Sequence, residues 1–175
     1  HNLMNAAAAA AAALALGTDL QQIRRGLESV EPVPGRLQKI SNKAGWTVID
    51  DTYNANPASL YSALQVLAEM QGKSWLVLGD MKELGQGSRK MHREVGEAAR
   101  AMGVARLFTT GEMAADTADA FGQGAEHFSH KEELISALRE ALQPGVTCLV
   151  KGSRSMGMER VVEAIARETG MQEAC

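Results

Sequence analysis

The sequence predicts an open, doubly wound α/β domain: a mostly parallel sheet with helices on both faces, preceded by a short helical segment. Three observations lead there. Short, unbroken apolar runs recur along the chain, at Val48-Ile49, Leu76-Val77-Leu78, Leu107-Phe108 and Cys148-Leu149-Val150, as strands buried on both faces require. Most of these runs are followed by apolar residues at helical spacing, the alternation that builds a parallel sheet. The composition is that of an ordinary globular protein, with 45% hydrophobic and 22% charged residues. At 175 residues the chain has room for one domain plus a fragment of another.

The first elements set the boundary. His1-Asn2-Leu3-Met4-Asn5 leads into Ala6 to Ala13 and then Leu14-Ala15-Leu16. Small residues suit a helix lying close against a sheet or another helix, with Gly17 as its C-cap. The apolar run is shorter than the roughly 20 residues that span a bilayer, so no membrane is expected. The opening shows no initiator Met and no signal pattern; a close-packing helix at residue 1 needs something to pack on, so the chain is expected to be the C-terminal piece of a longer protein. Thr18 as N-cap, Asp19 in the first turn, and Leu20, Ile23 and Leu27 at helical spacing predict a second helix. Glu31-Pro32-Val33-Pro34-Gly35 cannot continue it, and divides residues 1–34 from residues 35–175.

The α/β pattern then follows. A strand over Trp46 to Asp50 has a hairpin partner at Leu37 to Ile40. Pro57 opens a helix to about Met70. Strands at Ser74 to Leu78, Arg106 to Thr110, Glu126 to Phe128 and Thr147 to Val150 alternate with helices over Ser88 to Met102, Met113 to Phe121, Lys131 to Leu142 and Met158 to Glu168.

Several functions are excluded at once. Lys and Arg number 18 against 21 Asp and Glu, a formal charge of −3, and non-specific nucleic-acid binding needs clustered cations. Aromatic residues are 4%, too few for base-stacking platforms. Two cysteines, Cys148 and Cys175, make no disulfide framework. His1, His92, His127 and His130 lack metal-ligand spacing. Gly72-Lys73-Ser74 imitates the end of a phosphate-binding loop, but it precedes a strand and lacks the first glycine. No G-x-G-x-x-G follows the first strand, which argues against a dinucleotide oxidoreductase.

Ligands of such sheets sit at the carboxyl ends of the strands, and unusual residues gather there. Asp50-Asp51-Thr52-Tyr53-Asn54-Ala55-Asn56-Pro57 crowds two carboxylates, a phenol and two amides between a strand and a helix. Capping accounts for one of them. Of five asparagines, four fall in residues 1–5 or 53–57, a clustering that favours function. Gly79-Asp80-Met81-Lys82-Glu83-Leu84-Gly85 places Asp80 at a second strand end, with His92 beyond it and without a clear role. Lys151-Gly152-Ser153-Arg154-Ser155 ends a third strand. Helix-start amides, a glycine and two cations there make an anion site, although solvated surface charge explains them as well. Thr110-Gly111 ends a fourth strand and says little.

In this order, His1-Asn2-x-x-Asn5-Ala6, Gly35-Arg36-Leu37, the Val48 to Pro57 run, Leu78 to Gly85 with His92, and Val150 to Arg154 resemble the Mur ligases of bacterial cell-wall synthesis over almost the whole chain. The Tyr53-Asn54-Ala55-Asn56-Pro57 run is similar to that of members that add a dipeptide. The resemblance implies a three-domain, cytoplasmic, monomeric enzyme, of which residues 1–34 end the central ATP-binding domain and residues 35–175 form the Rossmann-like C-terminal domain. It implies ATP-driven transfer of D-alanyl-D-alanine to UDP-N-acetylmuramoyl-tripeptide through an acyl phosphate. By the same resemblance Asn2 and Asn5 read the adenine, Arg36 reaches the γ-phosphate and Asp51 takes the ribose hydroxyls. Tyr53, Asn54 and Asn56 line the dipeptide site. Lys151, Ser153 and Arg154 hold the dipeptide carboxylate, and Arg36 and Lys151 are the catalytic candidates. Mg2+ ligands are expected mainly upstream of His1, so this piece alone is expected to be inactive. A sister ligase adding one amino acid, and a non-catalytic α/β module binding a nucleotide or peptide, are the alternatives.

Overall fold

A computed structural model describes residues 2–31 and 33–167; His1, Pro32 and Glu168, which the sequence assigns to elements or to the linker, lie outside them. The chain divides between Val33 and Pro34 into two units. In the first, α1 (Asn2–Ala15) closes with Gly17 at φ +83°. The Gly17 N–H donates to the Leu14 carbonyl at 2.9 Å and the Thr18 N–H to that of Ala13 at 3.0 Å, a Schellman closure. That closure moves the start of α2 (Leu20–Glu28). Thr18, expected as its cap, spends its N–H on α1. Asp19 caps instead, its Oδ1 accepting from the Gln21 and Gln22 N–H groups at 2.8 and 3.0 Å while Gln22 Oε1 accepts from the Asp19 N–H, a reciprocal capping box. No residue of α2 is buried.

The second unit begins with a hairpin of β1 (Gln38–Ser41) and β2 (Thr47–Asp51), which pair antiparallel. It continues through α3 (Pro57–Glu69), β3 (Lys73–Gly79), α4 (Ser88–Ala101), β4 (Arg106–Thr110), α5 (Ala114–Phe121), β5 (Ala125–Phe128), α6 (Lys131–Ala141), β6 (Val146–Lys151) and α7 (Glu159–Arg167). The sheet order is β1-β2-β6-β3-β4-β5, with β2 through β5 in that order all parallel. The doubly wound α/β fold is therefore present, with most element ends within a residue of those expected. A single 3-10 turn at Arg154–Met156 was not foreseen.

Successive strand residues point to opposite faces, and the two cores follow that alternation. Val48, Trp75, Val77, Phe108, Cys148 and Val150 pack with Leu134 and Leu138 of α6 and Val161 and Ile165 of α7. Ile49, Leu76, Leu78, Leu107 and Leu149 pack with Leu60 and Leu64 of α3, Val95 of α4 and Phe121 of α5. The chain thus leaves β2, β3 and β4 toward one face, but leaves β5 and β6 toward the other. Where neighbouring strands send their exits to opposite faces, a crevice opens at their carboxyl ends. Here that happens at β6, between β2 and β3, and again between β4 and β5.

Candidate functional site

Register brings the rim together. Asp51 on β2 stands opposite Lys151 on β6, and Lys151 stands opposite Leu78 on β3. Lys151 is 2% exposed. Its ammonium donates to Asp51 Oδ2 at 2.5 Å and to the Asn54 carbonyl at 2.9 Å. A buried cation needs such partners, so this lysine is spent on the loop after β2 and does not stand open at the rim. Asp51 Oδ1 also accepts from the Leu37 N–H at 3.3 Å. Asp50 turns the loop from below, its Oδ1 accepting from the Thr52 N–H at 3.1 Å and the Thr52 hydroxyl at 2.6 Å.

Above these buried contacts Tyr53 and Asn54 are exposed. The Arg36 guanidinium lies 4.1 Å from the centroid of the Tyr53 ring. Asn54 Oδ1 accepts from the Ala55 N–H at 2.8 Å. Asn56 is the N-cap of α3, its Oδ1 accepting from the Ser59 N–H at 2.9 Å, so one of the clustered amides does serve as the cap.

Ser153 joins three strand ends. Its hydroxyl accepts from the Lys82 N–H at 2.7 Å and donates to the Ala55 carbonyl at 3.4 Å, while its own N–H donates to the Asp80 carbonyl at 3.0 Å. A 3-10 turn over Arg154–Met156 separates Lys151 from the last helix. The 3-10 turn ends at Gly157 with φ +56°, and α7 begins only at Glu159. The space there is filled by Met158, fully buried. A Cβ on Gly152 would meet its Cγ at 2.6 Å, and one on Gly79 its sulfur at 2.9 Å. Gly152 is a packing requirement, and the Ser153 amide is engaged by the Asp80 carbonyl. Arg154 is exposed and its Nη1 lies 3.4 Å from Glu159.

The loop after β3 is fixed by Asp80, 1% exposed. Its Oδ1 accepts from the Met113 and Ala114 N–H groups at 3.0 and 2.8 Å, and its Oδ2 from Lys82 Nζ at 2.7 Å. Gly111 permits this. Its φ is +110°, and a Cβ there would stand 2.4 Å from Asp80 Oδ1. His92 is fully buried. Its Nε2 accepts from the Met81 N–H at 3.0 Å, and its Nδ1 faces the Ser88 carbonyl at 2.8 Å. A backbone N–H only donates and a carbonyl only accepts, so the ring carries its proton on Nδ1. His92 braces this loop.

Arg36, Asp51, Tyr53, Asn54, Lys151 and Ser153 therefore meet at one rim. Asn56 borders it as a cap, and Arg154 faces solvent beside it. Asn5 belongs to the first unit and is exposed; the side chain of Asn2 lies outside the described residues. Gly111 and Thr52, to which the sequence alone assigns no role, shape the two loops. Gly111 had a signal, a glycine directly at a strand end level with Asp80. Among the described residues no three His, Cys, Asp or Glu side chains converge to hold a metal ion, and no helix is long and apolar enough to cross a membrane.

Fold and rim together define a doubly wound α/β domain whose polar residues gather at a topological reversal of the sheet. Residues 35–154 match the Mur ligase, glutamate ligase domain, and the chain belongs to the Mur ligase family. It is 46% identical over 167 residues to the UDP-N-acetylmuramoyl-tripeptide–D-alanyl-D-alanine ligase of Escherichia coli strain K12, covering 94% of this chain and 37% of that protein. Among solved structures it superposes on MurF from Acinetobacter baumannii with a TM-score of 0.87 at 35% identity, covering 95% of this chain and 38% of that one. MurF ligase from Thermotoga maritima in complex with ADP gives a TM-score of 0.82 at 29% identity, with 95% and 38% covered. The chain thus spans little more than a third of the length of these relatives.

Proposed function

We propose that this chain is the acceptor-binding end of an ATP-dependent ligase that joins D-alanyl-D-alanine to UDP-N-acetylmuramoyl-tripeptide in peptidoglycan precursor synthesis, a cytoplasmic enzyme acting as a monomer. The observation that carries the reading is the Asp51–Lys151–Asn54 cluster. It clamps the loop after β2 from beneath and leaves Tyr53 and Asn54 exposed at the reversal of the sheet. The names of the relatives and the ADP in one of them support the choice of substrates.

The chemistry asked of these residues is placement. The tripeptide carboxylate takes the γ-phosphoryl group of ATP, the dipeptide amine attacks the acyl phosphate, and phosphate leaves. Arg36 offsets charge as the phosphoryl group moves. Asp51, whose oxygens keep lone pairs beyond those used by Leu37 and Lys151, accepts from the ribose hydroxyls. Asn2 and Asn5 present amides to the adenine. Tyr53 and Asn54 meet the dipeptide, with the amide N–H groups of Asn56 at the edge and Arg154 as the exposed cation for its carboxylate. Lys151 and Ser153 act through the loops that they hold. Closing the crevice keeps water from the acyl phosphate. Mg2+ would neutralise the ATP phosphates when bound; the described residues offer it no group of three His, Cys, Asp or Glu side chains.

The test is a phosphate-release assay on the full-length protein with ATP, the UDP-linked tripeptide and a panel of acceptors. D-alanyl-D-alanine is the acceptor expected to drive turnover, and the 175-residue chain alone should give none. Turnover with a single amino acid and none with the dipeptide would overturn the reading.

A further inference from the structure

Arg36 sits in an unusual turn. Gly35 has φ +73° and Leu37 has φ +53°, so the arginine is flanked by two left-handed residues, a conformation that leucine seldom adopts. The turn is pinned to the loop after β2 at both sides. The Tyr53 N–H donates to the Gly35 carbonyl at 3.0 Å, and the Leu37 N–H donates to Asp51. A Cβ on Gly35 would meet the Tyr53 nitrogen at 3.0 Å, so this backbone contact needs the glycine. Between those anchors the guanidinium lies 4.1 Å from the Tyr53 ring centroid. Tyr53 is 47% exposed and belongs to neither apolar core. An aromatic ring kept at the surface with a guanidinium on its face is a cation–π platform.

We propose that Tyr53 is the positioning residue for Arg36: its ring face holds the guanidinium in one orientation before nucleotide arrives. The strained turn fixes where the arginine leaves the backbone, and the ring fixes where its head ends. A planar guanidinium stacked in this way keeps its edge N–H groups free for phosphate oxygens. The inference rests on the proposed phosphate-facing role of Arg36, and adds an action of Tyr53 on the nucleotide side separate from any contact with the dipeptide.

Two measurements test it. In the full-length protein Tyr53→Leu should lower kcat/KM for ATP by about three- to tenfold, the size of a half-exposed cation–π contact. Tyr53→Phe, which keeps the ring, should recover that loss. In an Arg36→Met background Tyr53→Leu should cost nothing further, whereas additive losses, or Phe failing like Leu, would overturn the proposal. In the 175-residue chain the Arg36 Nε–H proton should be displaced upfield by the ring current in the NMR spectrum. It should return in Tyr53→Leu and stay in Tyr53→Phe; an undisplaced proton in the wild type would also overturn it. If the full-length protein turns over with another acceptor, the dipeptide reading fails, while the cycle on ATP and the ring-current shift still decide this proposal.

Discussion

Replacing Lys151 by Met tests the clamp beneath the rim. The lysine side chain is 3% exposed and that of Asp51 14%. Methionine fits the same volume but removes both donated hydrogen bonds, stranding Asp51 Oδ2 and the Asn54 carbonyl. Breaking a buried pair from one side costs about 3 to 5 kcal/mol. Water can still reach the partly exposed carboxylate, and the Leu37 N–H remains on Oδ1, so the lower end, about 3 kcal/mol, is expected. For a chain of this size that is a fall in Tm of about 6 to 12 °C. Trp46 and Trp75 are both buried in the α/β unit, so intrinsic fluorescence during urea or thermal unfolding reports that unit. Adding Asp51→Asn discharges the stranded carboxylate and should return at least half of the loss. A loss below about 1 kcal/mol, the value of an exposed pair, or strictly additive effects of the two substitutions, would refute the argument.

Other perturbations read different parts of the fold. Gly96→Ala in α4 gains helix propensity of about 1 kcal/mol, yet its Cβ would stand 2.2 Å from the Thr117 carbonyl of α5. The helices must part, and a net loss of about 1 to 3 kcal/mol is expected in urea unfolding. Burial pushes the Cys148 thiol up to about 12, so iodoacetamide at mildly alkaline pH should leave its peptide unlabelled by mass spectrometry until the chain is unfolded. Burial, then the nearby Arg160, lowers the Lys131 ammonium from its ordinary value of 10.5. The unfolded chain then holds this proton more tightly than the folded one, so the group's contribution to stability rises as pH climbs through the folded value toward 10.5. Lys131→Met should flatten that part of the stability–pH curve.

The strands were legible because each is a short apolar run buried on both faces, and the rim was legible because Asp51, Asp80 and Lys151 stand directly at strand ends. What escaped depends on partners distant in sequence. Nothing near Lys151 says that its ammonium will be taken by Asp51, a hundred residues away. Nothing near Asp80 says that Met113 and Ala114 will turn their amides toward it. The start of α2 was misplaced by one residue because Thr18 is shared with the end of α1, a competition that local cap preference does not register. The packing of Met158 between Gly79 and Gly152, and the 3-10 turn before it, depend on the tertiary fit and leave no local signal.

The rim at β2, β6 and β3 is proposed to receive the dipeptide. Asn54→Ala in the full-length protein addresses this most directly, because Asn54 is exposed and its side chain gives up the bond from the adjacent Ala55 N–H while its backbone carbonyl keeps Lys151. The KM for D-alanyl-D-alanine should rise by about three- to tenfold, the worth of one hydrogen bond, while the KM for ATP stays nearly unchanged. Equal weakening toward both substrates, or none toward the dipeptide, would contradict it.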